Sequence, residues 1–192
     1  MPDPGKTASA GRKANRGPSA GPANRRALIA AAREVFAADG LQAPFNAVAK
    51  RAGVGQGSLY RHFPDRLSLA LAVFDENLDH LEASVAAPDA TLDDLLDALT
   101  EQAVVSTALI DLIWLNRDDE RVTHLGARLE RIADLALERG RTAGRVGEQI
   151  ETSDLLLVVT MLAGLTSRTD ESDRRAVAAR ARALFDAALA PR

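Results

Sequence analysis

The segment that most constrains this fold runs from Phe45 to Phe63, FNAVAKRAGVGQGSLYRHF, and its small residues are spaced for two helices that cross at close range. Ala49 is small where the first helix meets the second, and Gly53 follows one turn later, where the chain must turn with a positive φ. Apolar residues point inward from both helices at Val48, Ala52, Val54 and Leu59. The spacing predicts a helix-turn-helix, whose second helix enters the DNA major groove. It also fits an ordinary helical hairpin, which needs the same small residue and glycine.

The flanking residues favour the DNA-binding interpretation. Residues 24–40, NRRALIAAAREVFAADG, form an amphipathic pattern with Asn24 as a candidate N-cap and Gly40 as a C-terminal stop. After the hairpin, Asp65 is placed to cap a longer helix. Together with AxxxF, AxxAGVxxGSLYRHF and a basic residue just after Phe-Pro, this order resembles the N-terminal DNA-binding domain of the TetR family of transcriptional repressors, from about residue 25 to residue 74.

Charge is distributed unevenly along the chain. Residues 1–66 contain 11 basic and four acidic side chains, a net charge of +7, whereas the remainder contains 13 basic and 23 acidic ones, a net charge of −10. A basic front and an acidic body suit a reader of nucleic acid, because Lys and Arg attract phosphates and release counterions. The asymmetry has a simpler alternative, since part of the positive charge lies in a segment that needs it only to stay solvated.

The chain divides into three predicted parts. Residues 1–23 are rich in Pro, Gly, Ser and Ala, and we expect a disordered basic tail. Residues 24–68 form the helix-turn-helix domain, and residues 69–192 form a second helical domain. No period-2 alternation persists after residue 66, so we predict an all-α protein of about nine helices. The family resemblance implies the same architecture, with the second domain serving ligand binding and dimerisation.

Residues of the hairpin are the candidate DNA contacts. Gln56 is the best candidate for base readout, because its amide matches the N6/N7 edge of adenine. Gly57 permits close approach, Ser58 carries a hydroxyl suited to phosphate, and Arg61 suits either a base or a phosphate. The resemblance implies that Tyr60 and His62 hold the DNA backbone and that Arg66 anchors a further phosphate.

One position departs from the family pattern. A threonine or serine commonly stands where this chain has Phe45, which can neither cap the second helix nor bind phosphate through its side chain. Phe45 either packs against the first helix, which we favour, or contacts a thymine methyl group. Asn46 beside it remains a candidate DNA contact.

The second domain is predicted to dimerise and to enclose an effector cavity, as the resemblance implies. Residues 155–165 are apolar almost all round, which favours a homodimer through the last two helices over an ordinary buried helix. The candidate ligand contacts are the few polar or polarizable side chains in aliphatic segments: Trp114, His124, Arg128, Thr160 and Met161. Each also fits a simpler role in the core or on a solvated face. A small apolar molecule with one polar or anionic end would suit such a cavity.

Other functions find little support in the sequence. There is no cysteine, no apolar run long enough to span a bilayer, and no signal-peptide pattern, so we expect a cytoplasmic protein without membrane attachment. The histidines lack metal-binding spacing, and no catalytic constellation appears, so we expect no enzymatic activity, metal or cofactor. We therefore predict a TetR-like repressor that an effector releases from a palindromic operator in double-stranded DNA. The alternative is a helical protein-interaction module without DNA binding.

Overall fold

The structure is a computed structural model that describes residues 21–40, 43–87, 89–105 and 107–191. Within these residues it is all-α and contains nine helices, which confirms the predicted fold class. Residues 1–20 of the predicted tail lie outside the described part. The helices are α1 (Gly21–Asp39), α2 (Phe45–Ala52), α3 (Gln56–His62), α4 (Arg66–Ala86), α5 (Leu92–Val105), α6 (Thr107–Leu115), α7 (Glu120–Thr142), α8 (Thr152–Ser167) and α9 (Glu171–Leu189).

Helices α1 to α3 and the first half of α4 form a head with its own apolar core. Leu28, Ile29 and Phe36 of α1 are almost fully buried against Val48 of α2 and Leu59 of α3. Apolar residues recur along α1 at the helical period, so one stripe of the helix faces this core. The helix already includes Gly21, so Asn24 lies inside α1, and the prediction that it caps the helix is wrong. Gly40 follows the helix with φ +65°, as a C-terminal stop requires.

Helix α4 belongs to both halves of the molecule. Its N-cap is Asp65, whose carboxylate accepts from the Ser68 backbone N–H while the Ser68 hydroxyl lies within hydrogen-bond distance of the Asp65 N–H. This reciprocal capping box satisfies amides that the first helical turn would otherwise leave unpaired. Leu69, Ala70, Ala72 and Val73 of α4 pack in the head core, past residue 68, whereas Leu71 faces the body core. Because α4 is one continuous helix, its first half completes the head and its second half enters the body.

The body packs α5 to α9 and the second half of α4 around a larger aliphatic core. Leu96 of α5, Leu137 of α7 and Leu162 of α8 are among its most deeply buried members. Gly140 is of a residue type that commonly ends a helix, but α7 continues past it to Thr142. Gly140 is buried instead at a close approach, where an added Cβ would lie 2.7 Å from the Val146 Cγ2 atom.

Side chains and backbone also cap the starts of α5 and α8. The backbone N–H of Thr91 donates to the Asp94 carboxylate and the backbone N–H of Asp94 donates to the Thr91 hydroxyl, which caps the start of α5. The N-cap of α8 is Glu151. None of the helices in the described part of the chain is both long and apolar enough to cross a membrane.

Candidate DNA interface and effector cavity

The turn between α2 and α3 is built by backbone geometry. Gly53 has φ +65°, in the left-handed region that disfavours a side chain. The Gly53 N–H donates to Lys50 O at 3.2 Å, and the Val54 N–H donates to Ala49 O at 3.0 Å. These two bonds form a Schellman motif, which ends α2 and redirects the chain. Gly55 then precedes α3 in an extended conformation, and α3 begins at Gln56.

Helix α3 is held by a single buried side chain and presents its other residues outward. Leu59 is fully buried in the head core. Gln56, Gly57 and Arg61 are exposed, and Tyr60 is 48% exposed. Seven residues make two turns, so one anchor at the centre fixes the helix while leaving an outward face for a partner.

Phe45 and Tyr60 contact each other across the α2–α3 pair. Their ring centroids are 5.5 Å apart with planes at 73°, an energetically favourable edge-to-face arrangement. Phe45 is half-buried and packs on the head core, which is consistent with the packing role that we favoured. Its contact also fixes the Tyr60 ring, so the phenol hydroxyl is presented from a supported side chain.

Two arginines among the candidate DNA contacts already make hydrogen bonds within the head. The Arg61 Nη2 atom donates to the Ser58 hydroxyl at 3.1 Å, which couples these two side chains on the exposed face. The Arg66 Nη2 atom donates to Ala43 O, and its guanidinium lies over the rings of Phe36 and Phe45 at 5.9 and 6.0 Å. Arg66 therefore stabilises the head, and the phosphate contact that the resemblance implies remains a prediction.

His62 and Asn46 differ in their exposure. His62 is half-buried, and its Nε2 atom is shielded from solvent with no hydrogen-bond partner in the described part of the chain. That nitrogen does not reach a phosphate in this conformation. Asn46, in the first turn of α2, is exposed.

The described part of the head is basic. Residues 21–66 contain seven basic and three acidic side chains, a net charge of +4. Glu34 is paired with Arg51, and Asp65 caps α4, so two of the three acidic groups are already engaged. The positive potential that remains suits a polyanionic partner.

A cavity of about 310 Å³ lies in the body between α4, α6, α7 and α8. This volume is at the small end of the range for ligand pockets. Its wall is apolar except at two residues, Arg117 and Thr160. The lining residues are Phe74, Leu78, Ile110, Ile113, Trp114, Arg117, Val122, Leu125, Gly126, Leu129, Val159, Thr160 and Ala163.

The structure places two of the five predicted ligand contacts in this cavity, Trp114 and Thr160. His124 and Met161 are exposed and do not line it. Arg128 also lies outside the lining, because its guanidinium is turned toward α4. The missed signal is the apolar stripe of Val122, Leu125 and Leu129, whose helical spacing shows a shared face but not that the face borders a void.

Ion pairs join α7 to α4 beside the cavity. Arg128 donates to Asp75 at 3.0 Å, to Asp79 at 2.7 Å and to Glu82 at 2.9 Å, and its side chain is 11% exposed. The hydrogen bond from Arg128 holds the pKa of the Glu82 carboxyl below its usual value. At the start of the same helices, Arg121 donates to Asp65 at 3.3 Å and to Asp119 at 2.8 Å.

These bonds also affect the caps. Hydrogen bonds from the Arg121 side chain and backbone lower the pKa of Asp119 to about 2. Partial burial raises the pKa of the Asp65 carboxyl, but hydrogen bonds from Ser68 and Arg121 outweigh it, and the net pKa is lowered. Both carboxylates are therefore ionised at neutral pH, and α7 is tied to α4 at its start and at its middle.

An apolar strip on α8 and α9 is left uncovered. Leu157, Met161 and Leu165 recur at every fourth position of α8 and are 55%, 50% and 40% exposed. Leu184 of α9 is 55% exposed. Among the small residues of these two helices, Ala163, Ala178 and Ala181 are buried within the subunit, whereas Gly164 is half-buried and Ala188 is exposed. In the described residues, no cluster of three or more His, Asp or Glu could hold a metal ion.

Comparisons with known proteins agree with this architecture. The model for bacterial regulatory proteins of the tetR family matches residues 28–73. A TetR transcriptional regulator from Streptomyces coelicolor is 26% identical, with 87% of this chain and 98% of that chain covered and a TM-score of 0.66. A TetR transcription regulatory protein from Mycobacterium vanbaalenii is 23% identical, with 90% and 98% covered and a TM-score of 0.66. No match was found among the curated proteins.

The basic head, the Schellman turn between α2 and α3, and the outward face of α3 are the features of a helix-turn-helix transcription regulator. The family match covers the head, and the structural likeness extends over most of the chain. The head therefore matches the DNA-binding domain of the tetR family of bacterial regulatory proteins, and the chain has the fold of a TetR-like DNA-binding transcriptional regulator.

Proposed function

We propose that the protein is a homodimeric repressor that binds a palindromic operator through α3 and is released by a small effector in the body cavity. The observation that carries this proposal is the exposed face of α3, which Leu59 anchors and the Phe45–Tyr60 contact supports. A regulator of this kind acts in the bacterial cytoplasm, where it meets chromosomal DNA.

Base readout is assigned to the exposed N-terminal end of α3. Gln56 is free of the head core, and its amide matches the edge of adenine. Phosphate contacts are assigned to Tyr60 and to the coupled Ser58 and Arg61 side chains. The exposed Asn46 is a further candidate on α2, whereas Phe45 acts by supporting Tyr60.

Dimerisation is assigned to the apolar strip on α8 and α9. Leu157, Met161 and Leu165 are about half-exposed and lie four positions apart, so they form a continuous apolar stripe along α8. A twofold axis along this stripe would bury it against itself. The same symmetry places two reading helices on one side of the DNA, which is the geometry that a palindromic site requires.

Control by an effector is assigned to α4. Phe74 of α4 lines the cavity and also packs against both the head core and the body core. A ligand that displaces Phe74 therefore acts on a helix whose first half completes the head. Movement of α4 changes the separation of the two reading helices, so ligand and DNA oppose each other by the same factor.

The proposed operator binding is tested by selecting duplexes from a random-sequence library with the purified full-length protein. Binding of the selected duplexes is then measured by fluorescence anisotropy between 50 and 200 mM salt, roughly the range over which phosphate contacts lose affinity. We expect palindromic sequences and a steep salt dependence. Salt-independent binding, or no binding of any duplex, would refute the proposal and favour a protein-interaction module.

Three variants assign the contacts. Tyr60→Phe keeps the ring on Phe45 and removes only the hydroxyl, so all duplexes should bind about 2- to 10-fold more weakly. Gln56→Ala should relax the choice at one base pair in each half-site, with about 10-fold or more lost discrimination. Arg175→Gln on the body surface is the matched control and should leave DNA binding unchanged. Equal behaviour of all three variants would contradict the residue roles.

A further inference from the structure

The cavity in the body has one cationic lining residue in the described part of the chain, Arg117, in the turn between α6 and α7. Its side chain is 70% exposed, so the guanidinium lies at the rim. The nearest carboxylate, Asp118, is 4.0 Å from its Nε atom and is itself 96% exposed. Such a solvated pair is weak and leaves the positive charge available to a ligand.

The residues below the rim offer apolar contact, with Thr160 as the exception. Trp114 is 45% exposed beside Arg117, while Leu125 and Ile110 are buried deeper in the wall. Thr160 supplies the other polar group of the lining. A ligand that satisfies this arrangement places an apolar body inside and one anionic group outside, where water still reaches it.

From this arrangement we infer that the cavity binds a small amphipathic monocarboxylate, with the carboxylate on Arg117 and the apolar tail directed toward Phe74. The planar guanidinium donates two parallel hydrogen bonds to a carboxylate. One guanidinium balances the single charge of a carboxylate, whereas a phosphate monoester brings about −1.5 to −2 at neutral pH and would remain partly uncompensated. A volume of about 310 Å³ favours a medium-length chain or a single ring over a large polycyclic molecule.

This assignment deepens the proposed effector control and rests on it for its biological meaning. Binding of a carboxylate through Arg117 can nevertheless be tested independently of any effect on DNA binding. The tail would contact Phe74, the side chain through which the cavity touches the head core.

The test uses the single tryptophan of the chain, which lies in the cavity wall. Quenching of Trp114 fluorescence, confirmed by isothermal titration calorimetry, is measured for octanoate and for octanamide, its neutral analogue of the same shape. Hexanoate, decanoate and octyl phosphate complete the series. The proteins are the full-length wild type, Arg117→Gln and the control Arg131→Gln, which removes an exposed arginine from another face of α7.

We expect the wild type and Arg131→Gln to bind octanoate about 10-fold or more tightly than octanamide, and more tightly than octyl phosphate. Arg117→Gln should lose that preference while octanamide binding stays within about twofold, which also shows that the cavity is intact. Equal affinities in the wild type, a preference that survives in Arg117→Gln, or no binding of any chain length would overturn the inference.

DNA binding of the same preparations separates this inference from the proposed function. Octanoate that binds through Arg117 without changing DNA affinity supports the carboxylate site and refutes effector control. Octanoate and octanamide that bind equally and both release DNA support effector control and refute the carboxylate site.

Discussion

Replacing Arg128 with glutamine should show that the α4–α7 contact is held by charge as well as by apolar packing. The Arg128 side chain is 11% exposed, whereas its partners Asp75, Asp79 and Glu82 are 42%, 66% and 42% exposed. The substitution leaves no buried cation, and the three carboxylates can return to water. Asp75, Asp79 and Glu82 are then like charges on neighbouring turns of α4, which repel one another.

The expected loss follows from this exposure. A fully buried pair that loses one partner costs about 3–5 kcal/mol, and an exposed pair costs about 0.2–1 kcal/mol. Three pairs with one shielded partner and three solvated partners lie between these limits. We therefore expect Arg128→Gln to lower the free energy of unfolding by about 2 kcal/mol.

Urea denaturation followed by circular dichroism measures this loss, with similar m-values as the check on the comparison. The control is Arg175→Gln, which removes a comparable two-bond pair with Glu101 whose partners are 68% and 55% exposed. Its loss should be clearly smaller. A loss in Arg128→Gln no greater than in the control would refute the argument from shielding.

The stability difference between the wild type and Arg128→Gln should also depend on pH. Because Arg128 lowers the pKa of Glu82 below its unfolded value of 4.5, the ionised carboxylate stabilises the wild type above that pH. This contribution is lost as the pH falls from 4.5 through the lowered pKa, so the difference between wild type and Arg128→Gln should shrink there. A difference that stays constant down to pH 3 would show that the pair does not supply it.

Three further predictions concern stability and assembly. Asp65→Ala should destabilise the protein by about 1 kcal/mol in urea denaturation through loss of the α4 cap, and Asp65→Asn should retain most of that stability. Gly140→Ala should destabilise by about 1–2 kcal/mol because the new methyl group meets Val146, whereas Gly126→Ala in open space on the same helix should stabilise by up to about 1 kcal/mol; the reverse order would contradict the packing argument. Met161→Glu on the uncovered α8 strip should give a monomer in light scattering, and an unchanged dimer would move the interface elsewhere.

Local chemistry in the sequence was enough to predict the head. Gly53 is left-handed, Asp65 caps α4, and Leu59 faces inward while Gln56 faces outward. Each of these outcomes depends on residues within one or two turns, where the spacing of small, apolar and capping residues is sufficient. The helix-turn-helix and the all-α class therefore followed from the sequence.

The body was less accessible to the same reasoning. Gly140 has the appearance of a helix stop, but its role is set by Val146, which lies beyond the end of its helix and packs back on it. Arg128 shares a helix face with His124, and only the position of α4 shows that its partners are Asp75, Asp79 and Glu82.

The sequence by itself determined the helical class, the turn and the exposed face of α3 that we propose reads DNA, because those features arise from neighbours along the chain. Only the tertiary structure decided which apolar stripes enclose the cavity and which remain uncovered. Leu125 and Leu157 are equally hydrophobic, yet one is buried at the cavity wall and the other is 55% exposed. That difference depends on how far apart whole helices pack, a distance that the periodicity of any single helix does not contain.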